Sequence, residues 1–269
     1  MTLLREIDPG VTCLSRAATV LWLLGYPDQA LQRIREALGL AHKLSHPLSL
    51  AYTLGFAAGV HQFRREAQAA QEHAEAMMAL SREHGFTSSL VERTILRGSA
   101  LTAQGQAEEG IAQIRQGLAA LPATGVEVAR PLYLALLAEA YGRLGQIEEG
   151  LAVLAEALAV VHKIGQYVGE GWLYRLKGEL TLAQSSVQGL ASSVREEAEE
   201  CFLKAIEIAR QQSAKSLELR AVMSLSRLWQ RQGKKKQAHA MLAEIYSWFT
   251  EGFDTADLQE ARALLDELA

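Results

Sequence analysis

The stretch Leu134-Ala-Leu-Leu-Ala-Glu-Ala-Tyr-Gly-Arg-Leu-Gly-Gln-Ile-Glu-Glu-Gly-Leu-Ala-Val-Leu-Ala-Glu-Ala-Leu158 reads as two helices joined by a tight turn. Gly145 ends the first helix after Leu144, because a residue without a Cβ takes up the left-handed conformation that stops a helix. Glu148 and Glu149 stand in the first turn of the second helix, where carboxylates favour the helix dipole. Beyond them the small residues Gly150 and Ala157 flank Leu154. Small side chains let antiparallel helices approach to the short end of the roughly 8–10 Å range, and the larger residue between them fills the gap.

The same order recurs along the chain. Gly25 precedes Ala30, Ile34 and Ala37, and Gly105 precedes Gly110, Ile114 and Gly117. Gly233 precedes Ala238, Leu242 and Ile245. In a further copy Gln62 takes the glycine slot before Ala67, Gln71 and Ala74. Ala198, Phe202 and Ala205 form another copy behind an expanded turn, Gln184–Val194. Turn positions 25, 62, 105 and 145 lie 37, 43 and 40 residues apart, and 145 to 233 spans 88, two units of about 44. These spacings predict six helix–turn–helix units. A single pair cannot cover its apolar face, so the pairs must stack on one another.

Composition agrees. Of 269 residues, 43 are Ala and 42 are Leu, while aromatics make 6%, a balance that favours helix over strand. Lys+Arg 27 against Asp+Glu 31 gives a net charge of −4, which lacks the basic footprint of a nucleic-acid binder. The most apolar run, Leu151–Val161, is interrupted by Glu156 and is too short to cross a bilayer. The first residues carry charge early and lack a signal-like apolar core, so the sequence predicts a cytoplasmic protein without membrane contact. Cys13 and Cys201, set among apolar residues, read as buried and inert thiols.

The landmarks Tyr141, Gly145, Gly150, Leu154 and Ala157, with Trp229, Gly233, Ala238, Leu242 and Ile245, resemble the tetratricopeptide repeat family in its longer, roughly 40-residue form, like that of the maltose-regulon activator. The likeness covers roughly residues 11–250 and departs at Gln62, Arg97, Gly110 and Gly117. It implies an all-α, right-handed superhelical solenoid of about six tetratricopeptide-like repeats. The expected division is a truncated N-terminal segment over 1–10, the array over 11–250 and a capping helix over 251–269. In that last helix Leu258, Ala261, Leu264, Leu265 and Leu268 form an apolar stripe.

A narrower resemblance rests on Asp8-Pro-Gly-Val-Thr-Cys-Leu-Ser15, Leu21-Trp-Leu-Leu-Gly-Tyr-Pro-Asp-Gln-Ala-Leu31 and His61-Gln-Phe-Arg-Arg-Glu66. Leu173-Tyr-Arg-Leu-Lys-Gly-Glu-Leu180 and Trp248-Phe-Thr-Glu-Gly-Phe-Asp-Thr-Ala-Asp-Leu-Gln-Glu-Ala261 share it. They look like the C-terminal repeat region of bacterial multidomain proteins that join an adenylate cyclase or a DNA-binding domain to a signal-transduction ATPase. That resemblance implies a signalling ATPase or cyclase domain as a partner. At the N-terminal end only Leu3, Leu4 and Ile7 are available as cover, which predicts a surface for an upstream domain or a second copy.

Motifs of chemistry are missing: there is no phosphate-binding loop, no His-Glu-x-x-His and no Gly-x-Ser-x-Gly. No enzyme activity, cofactor or metal is therefore expected. His42 and His46 read as solvated residues near a helix end, and the Glu108-Glu109, Glu148-Glu149 and Glu196-Glu197 pairs as first-turn residues. Lys234–Lys236 reads as a solvated turn, and His61–Arg65 as Phe63 packed beside solvated arginines, or else as a docking edge for an acidic partner.

What is left is a binding surface for a protein or peptide. First helices of stacked pairs line the concave side, and the register places Trp22, Tyr52, Phe56, Glu92, Glu139, Trp172, Arg175, Glu179, Arg220 and Arg227 in that groove, with Thr12, Ser15 and Ile95. Aromatics and arginine dominate binding energy at interfaces. The expectation is a non-catalytic interaction scaffold. The alternative is a regulatory array that senses a small effector, for which Tyr52, Phe56, Trp172 and Arg175 would form an enclosed pocket.

Overall fold

The computed structural model describes residues 7–124, 127–165, 169–184 and 192–269. Among them are thirteen α-helices and no strand, an all-α helical repeat solenoid. Six pairs follow one another: α1 (Pro9–Leu23) and α2 (Pro27–Leu44), α3 (Pro47–Phe63) and α4 (Ala67–His84), α5 (Thr87–Ala103) and α6 (Ala107–Ala120). Then come α7 (Arg130–Leu144) and α8 (Ile147–Ile164), α9 (Glu170–Gln184) and α10 (Ser192–Gln211), α11 (Lys215–Arg231) and α12 (Lys235–Tyr246), followed by α13 (Ala256–Leu268). Two 3₁₀ turns, Leu121–Thr124 and Glu127–Ala129, lead into α7. The chain divides into two compact units, one holding Tyr26–Ala129 with most of α1, the other holding Arg130–Ala269.

The turns set the period. Within pairs the left-handed residue is Gly25, Arg65, Gly105 and Gly145, at a constant spacing of 40. The second unit of the sequence pattern is thereby corrected: its turn slot is Arg65, with φ of 65°, and Gln62 lies inside α3. Between pairs the left-handed residues include Ser45 and Gly85, again 40 apart, then Gly165 and Ser213, which are 48 apart. Gly145 to Gly233 is 88. Both long spacings equal whole periods plus eight residues, so the period is 40 throughout and one insertion of eight replaces the two units of about 44. The expanded turn itself, at 185–191, lies outside the described residues.

At this period the buried residues of the second helices fall into columns. Ala30, Ala70, Gly110, Gly150, Ala198 and Ala238 form the first, and Ile34, Ala74, Ile114, Leu154, Phe202 and Leu242 the second. The third is Ala37, Met77, Gly117, Ala157, Ala205 and Ile245. Volume lost in one column returns in another: α4 has Ala74 where the others carry a large residue, and Met77 where all but α12 carry a small one. Gly55 on α3 makes room for it, since a Cβ there would stand 2.9 Å from the Met77 methyl. Gly178 does the same for the fully buried Phe202 ring. Close-packed interiors require such pairwise fitting.

Each described unit stacks in one order. In the first, α3 packs on α2 and α4, and α5 on α4 and α3; in the second, α9 packs on α8 and α7, and α11 on α10 and α9. Helix α13 packs on α12 and α11 in the same way. The expected apolar stripe is its buried face: Leu258, Ala261, Leu264, Leu265 and Leu268 join the core that surrounds Phe202 and Leu242. Helix α13 thus takes the place of the first helix of a seventh pair. At the other end Ile7 is buried with Val11, Ala41 and Leu48, whereas Leu3 and Leu4 lie outside the described residues.

Candidate functional site

Equivalent positions on the first helices form the rows that could meet a partner. One row, at the 40-residue period with the insertion counted, is Thr12, Tyr52, Glu92, Leu132, Trp172 and Arg220. A second, four residues further along each helix, is Arg16, Phe56, Leu96, Leu136, Leu176 and Ser224. Glu139, Glu179 and Arg227 share a third row with Thr19, Gly59 and Ser99.

In the first unit this surface is aromatic. Tyr52 and Phe56, both half-buried, are one helical turn apart on α3, with ring centroids 4.7 Å apart and tilted by 40°. Exposed Arg16, on α1, donates from Nε to the Tyr52 hydroxyl at 3.2 Å. Arg16 was not picked out from the sequence, although its place four residues after Thr12 marks it as the equivalent of Phe56. Half-buried Glu92 occupies on α5 the position that Tyr52 holds on α3. Burial pushes its carboxyl above the usual range, and neighbouring Arg93 offsets part of that shift. Arg93 is fully buried, donates to the carbonyls of Met77 at 3.0 Å and Phe86 at 3.2 Å, and is brought down by burial to about 10. It therefore stays charged at neutral pH and ties α5 to a carbonyl in the middle of α4 and to the turn between the two helices.

In the second unit the rows are ionic and engaged with each other. Arg175 binds Glu179 at 2.6 Å along α9, and Glu179 accepts at 2.7 Å from the Ser224 hydroxyl on α11. Arg220 reaches Asp257 of α13 through Nη2 at 2.7 Å and Nε at 2.8 Å, and Arg227 reaches Glu260 at 3.1 Å. Glu139 pairs with Arg143 at 3.2 Å one turn along α7.

Several expected groove residues serve packing instead. Trp22 is only 2% exposed because its ring stacks on Phe63 at 4.6 Å, and Trp172 is 6% exposed. Ser15 and Ile95 are fully buried, in the column that also holds the buried Ala135 and Met223. Arg220 fastens α13. Tyr52 and Phe56 belong to the first unit and Trp172 and Arg175 to the second.

Other sequence expectations are corrected too. Arg64 is buried, not solvated: it donates to the Pro27 carbonyl at 2.8 Å and to Glu66 at 2.8 Å, with Asp28 at 3.3 Å. Cys13 is exposed, whereas Cys201 is buried and burial raises its thiol. Half-buried His46 precedes Pro47 at the start of α3, with Nδ1 2.7 Å from the Ser49 hydroxyl, so it is not a solvated end residue. Glu108, Glu109, Glu148 and Glu149 do stand in first turns, but α10 starts at Ser192 and puts Glu196 and Glu197 in its second. Among the described residues no three His, Cys, Asp or Glu side chains cluster to hold a metal ion, and no helix is long and apolar enough to cross a membrane.

No protein-family model matches the chain, and no curated protein matches it. Solved structures do. The apo form of RapI superposes with a TM-score of 0.58 at 14% identity, covering 96% of this chain and 70% of RapI. A signal transduction ATPase with numerous domains from Pyrococcus horikoshii, which has a tetratricopeptide repeat sensor, superposes with a TM-score of 0.55 at 14% identity. That match covers 95% of this chain but only 38% of the ATPase. At these identities the likeness establishes the repeat fold.

Proposed function

We propose that the chain is a non-catalytic interaction scaffold that holds a peptide or a partner domain along its first-helix rows. The observation that carries this reading is the α1–α3–α5 surface, where Tyr52 and Glu92 share one row, Arg16 and Phe56 share the next, and all four remain within reach of solvent. A carboxylate kept half-buried against its desolvation cost is what stability alone would discard. The rings supply rigid contact area, and Arg16 and Glu92 supply polarity at either side. Within the second unit, Glu139, Arg175, Glu179 and Arg227 have their charges paired, which makes that unit's rows the weaker anchor.

The finer reading, that the array is the regulatory region of a bacterial signalling ATPase or cyclase, rests on the sequence resemblance. The ATPase of similar fold, whose repeats are described as a sensor, supports it. The test is affinity capture from a lysate with wild-type chain and with Tyr52→Ala/Phe56→Ala. A partner retained by wild type and lost by the variant, at unchanged helicity, is expected. Identical capture by both would place binding elsewhere.

A further inference from the structure

We propose that the groove between α8 and α10, floored by α9, docks a basic amphipathic helix of a partner protein. Its walls lie on second helices, and its lining shares no residue with the first-helix rows. Leu151, Ala155 and Leu158 of α8 form its apolar wall, Lys177 and Thr181 of α9 its floor, and Glu197 of α10 the opposite rim. Its volume is about 250 Å³. Small-molecule pockets run from roughly 300 to 1,000 Å³. The groove therefore suits one or two side chains of a larger partner, not an enclosed ligand.

Ala152, Ala155 and Ala159 are exposed on α8. At the 40-residue period the counterparts of Ala152 are Gln32, Glu72, Ala112, Glu200 and Ala240, and those of Ala155 are Arg35, Glu75, Arg115, Leu203 and Ala243. On α2 and α4 long polar side chains cover both positions; on α8, as on α12, both are alanine, and on α8 they are continuous with the half-buried Leu151 and Leu158. An apolar stripe of this spacing receives a helix that presents residues one turn apart.

The surrounding charge selects the partner's sign. Glu148 and Glu149 begin α8, and Glu196, Glu197 and Glu200 line the exposed start of α10. The two charged lining residues pair with each other, Lys177 Nζ 3.4 Å from Glu197, so the sign of the surroundings is set by the other carboxylates at the starts of α8 and α10. The rim is thus acidic, which attracts Lys and Arg flanking an apolar face, and repels acidic peptides and anionic lipid headgroups.

Two labelled synthetic helices test this with the full chain by fluorescence anisotropy. Both carry leucines one turn apart; one has lysines on its remaining faces and the other glutamates. The lysine helix binds saturably, and the glutamate helix binds at least roughly tenfold more weakly. Ala155→Arg, at an exposed position, and Glu197→Lys each weaken the lysine helix by roughly tenfold or more. Ala155→Arg leaves the Tyr52-dependent capture of the first-helix surface unchanged. Equal binding of the two helices, or wild-type binding by both variants, would overturn the proposal. So would self-association of the chain, or binding to phosphatidylserine vesicles, that Ala155→Arg abolishes: either result would give the groove a different occupant.

Discussion

Between α5 and α6 the two backbones meet at glycines, whereas α11 and α13 are held together by leucines and ion pairs. A Cβ on Gly110 would stand 2.5 Å from the Gly98 carbonyl oxygen and against the Thr102 hydroxyl, and one on Gly117 would strike Ile95. At Gly98 and Gly110 no side chain of either residue separates the backbones, so the contact is short and intolerant of added volume. At the other end Leu258, Leu264, Leu265 and Leu268 of α13 fill the space over α11 and α12, and Arg220 and Arg227 bind Asp257 and Glu260 across it. That contact tolerates small additions and loses most when volume is removed. One repeat pattern thus admits two packing chemistries, and each fails under a different substitution.

The largest effect is expected at the leucine end. Leu264→Ala removes a side chain that is 4% exposed and should cost about 2–5 kcal/mol by the transfer and cavity terms together. Urea unfolding of the full chain measures it; a loss below about 1 kcal/mol would mean that the end collapses to fill the void. At the glycine contact, Gly110→Ala should cost roughly 1–3 kcal/mol by overpacking, in spite of alanine's better helix propensity. Stabilisation by that substitution would show that the helices are not in close contact.

Smaller effects separate the two regions by charge. Arg220→Met leaves Asp257 without its cation at a site where both side chains are 13% exposed, and should cost about 1–2 kcal/mol. The loss should shrink in high salt, while that from Gly110→Ala should not.

The smallest effect belongs to His73 of α4. Burial lowers its pKa, as does the charge on His61, whose ring stacks on it with centroids 5.1 Å apart; Glu72 opposes them. Around the pair stand Glu66, which binds His61, then Arg64 and Asp28. Because the folded state resists the proton that the unfolded chain accepts near the ordinary histidine pKa, this contribution is present above that pKa and is lost as pH falls through it. Hydrogen-exchange protection factors in α3 and α4, corrected for the intrinsic pH dependence of exchange, should therefore fall below about pH 6.5, and His73→Gln should flatten that dependence.

Most of the fold was legible in the sequence because small–large–small triplets behind a glycine turn are a direct imprint of close helix pairing. Legibility failed where the chain reaches the same packing by other means. Arg65 takes a left-handed conformation without being glycine, and α4 exchanges the sizes of Ala74 and Met77, so the pattern appears three residues early. The candidate site was half legible. Tyr52 and Glu92 fall on equivalent positions, with Phe56 one turn further along α3, but periodicity along one helix does not tell an open face from one that another helix covers. That is why Trp22, Trp172 and Ile95 were read as groove residues although they are buried. Arg220 was misread because its partner, Asp257, lies 37 residues away.

The constant 40-residue register is most directly tested by two glycine substitutions three residues apart. Arg65→Gly should raise stability by up to about 1 kcal/mol, since it relieves a left-handed non-glycine residue. Gln62→Gly should lower stability by about 1 kcal/mol, since it falls within the last turn of α3. The reverse pair of signs in urea unfolding would return the turn to position 62 and contradict the register on which the packing columns and the first-helix rows both depend.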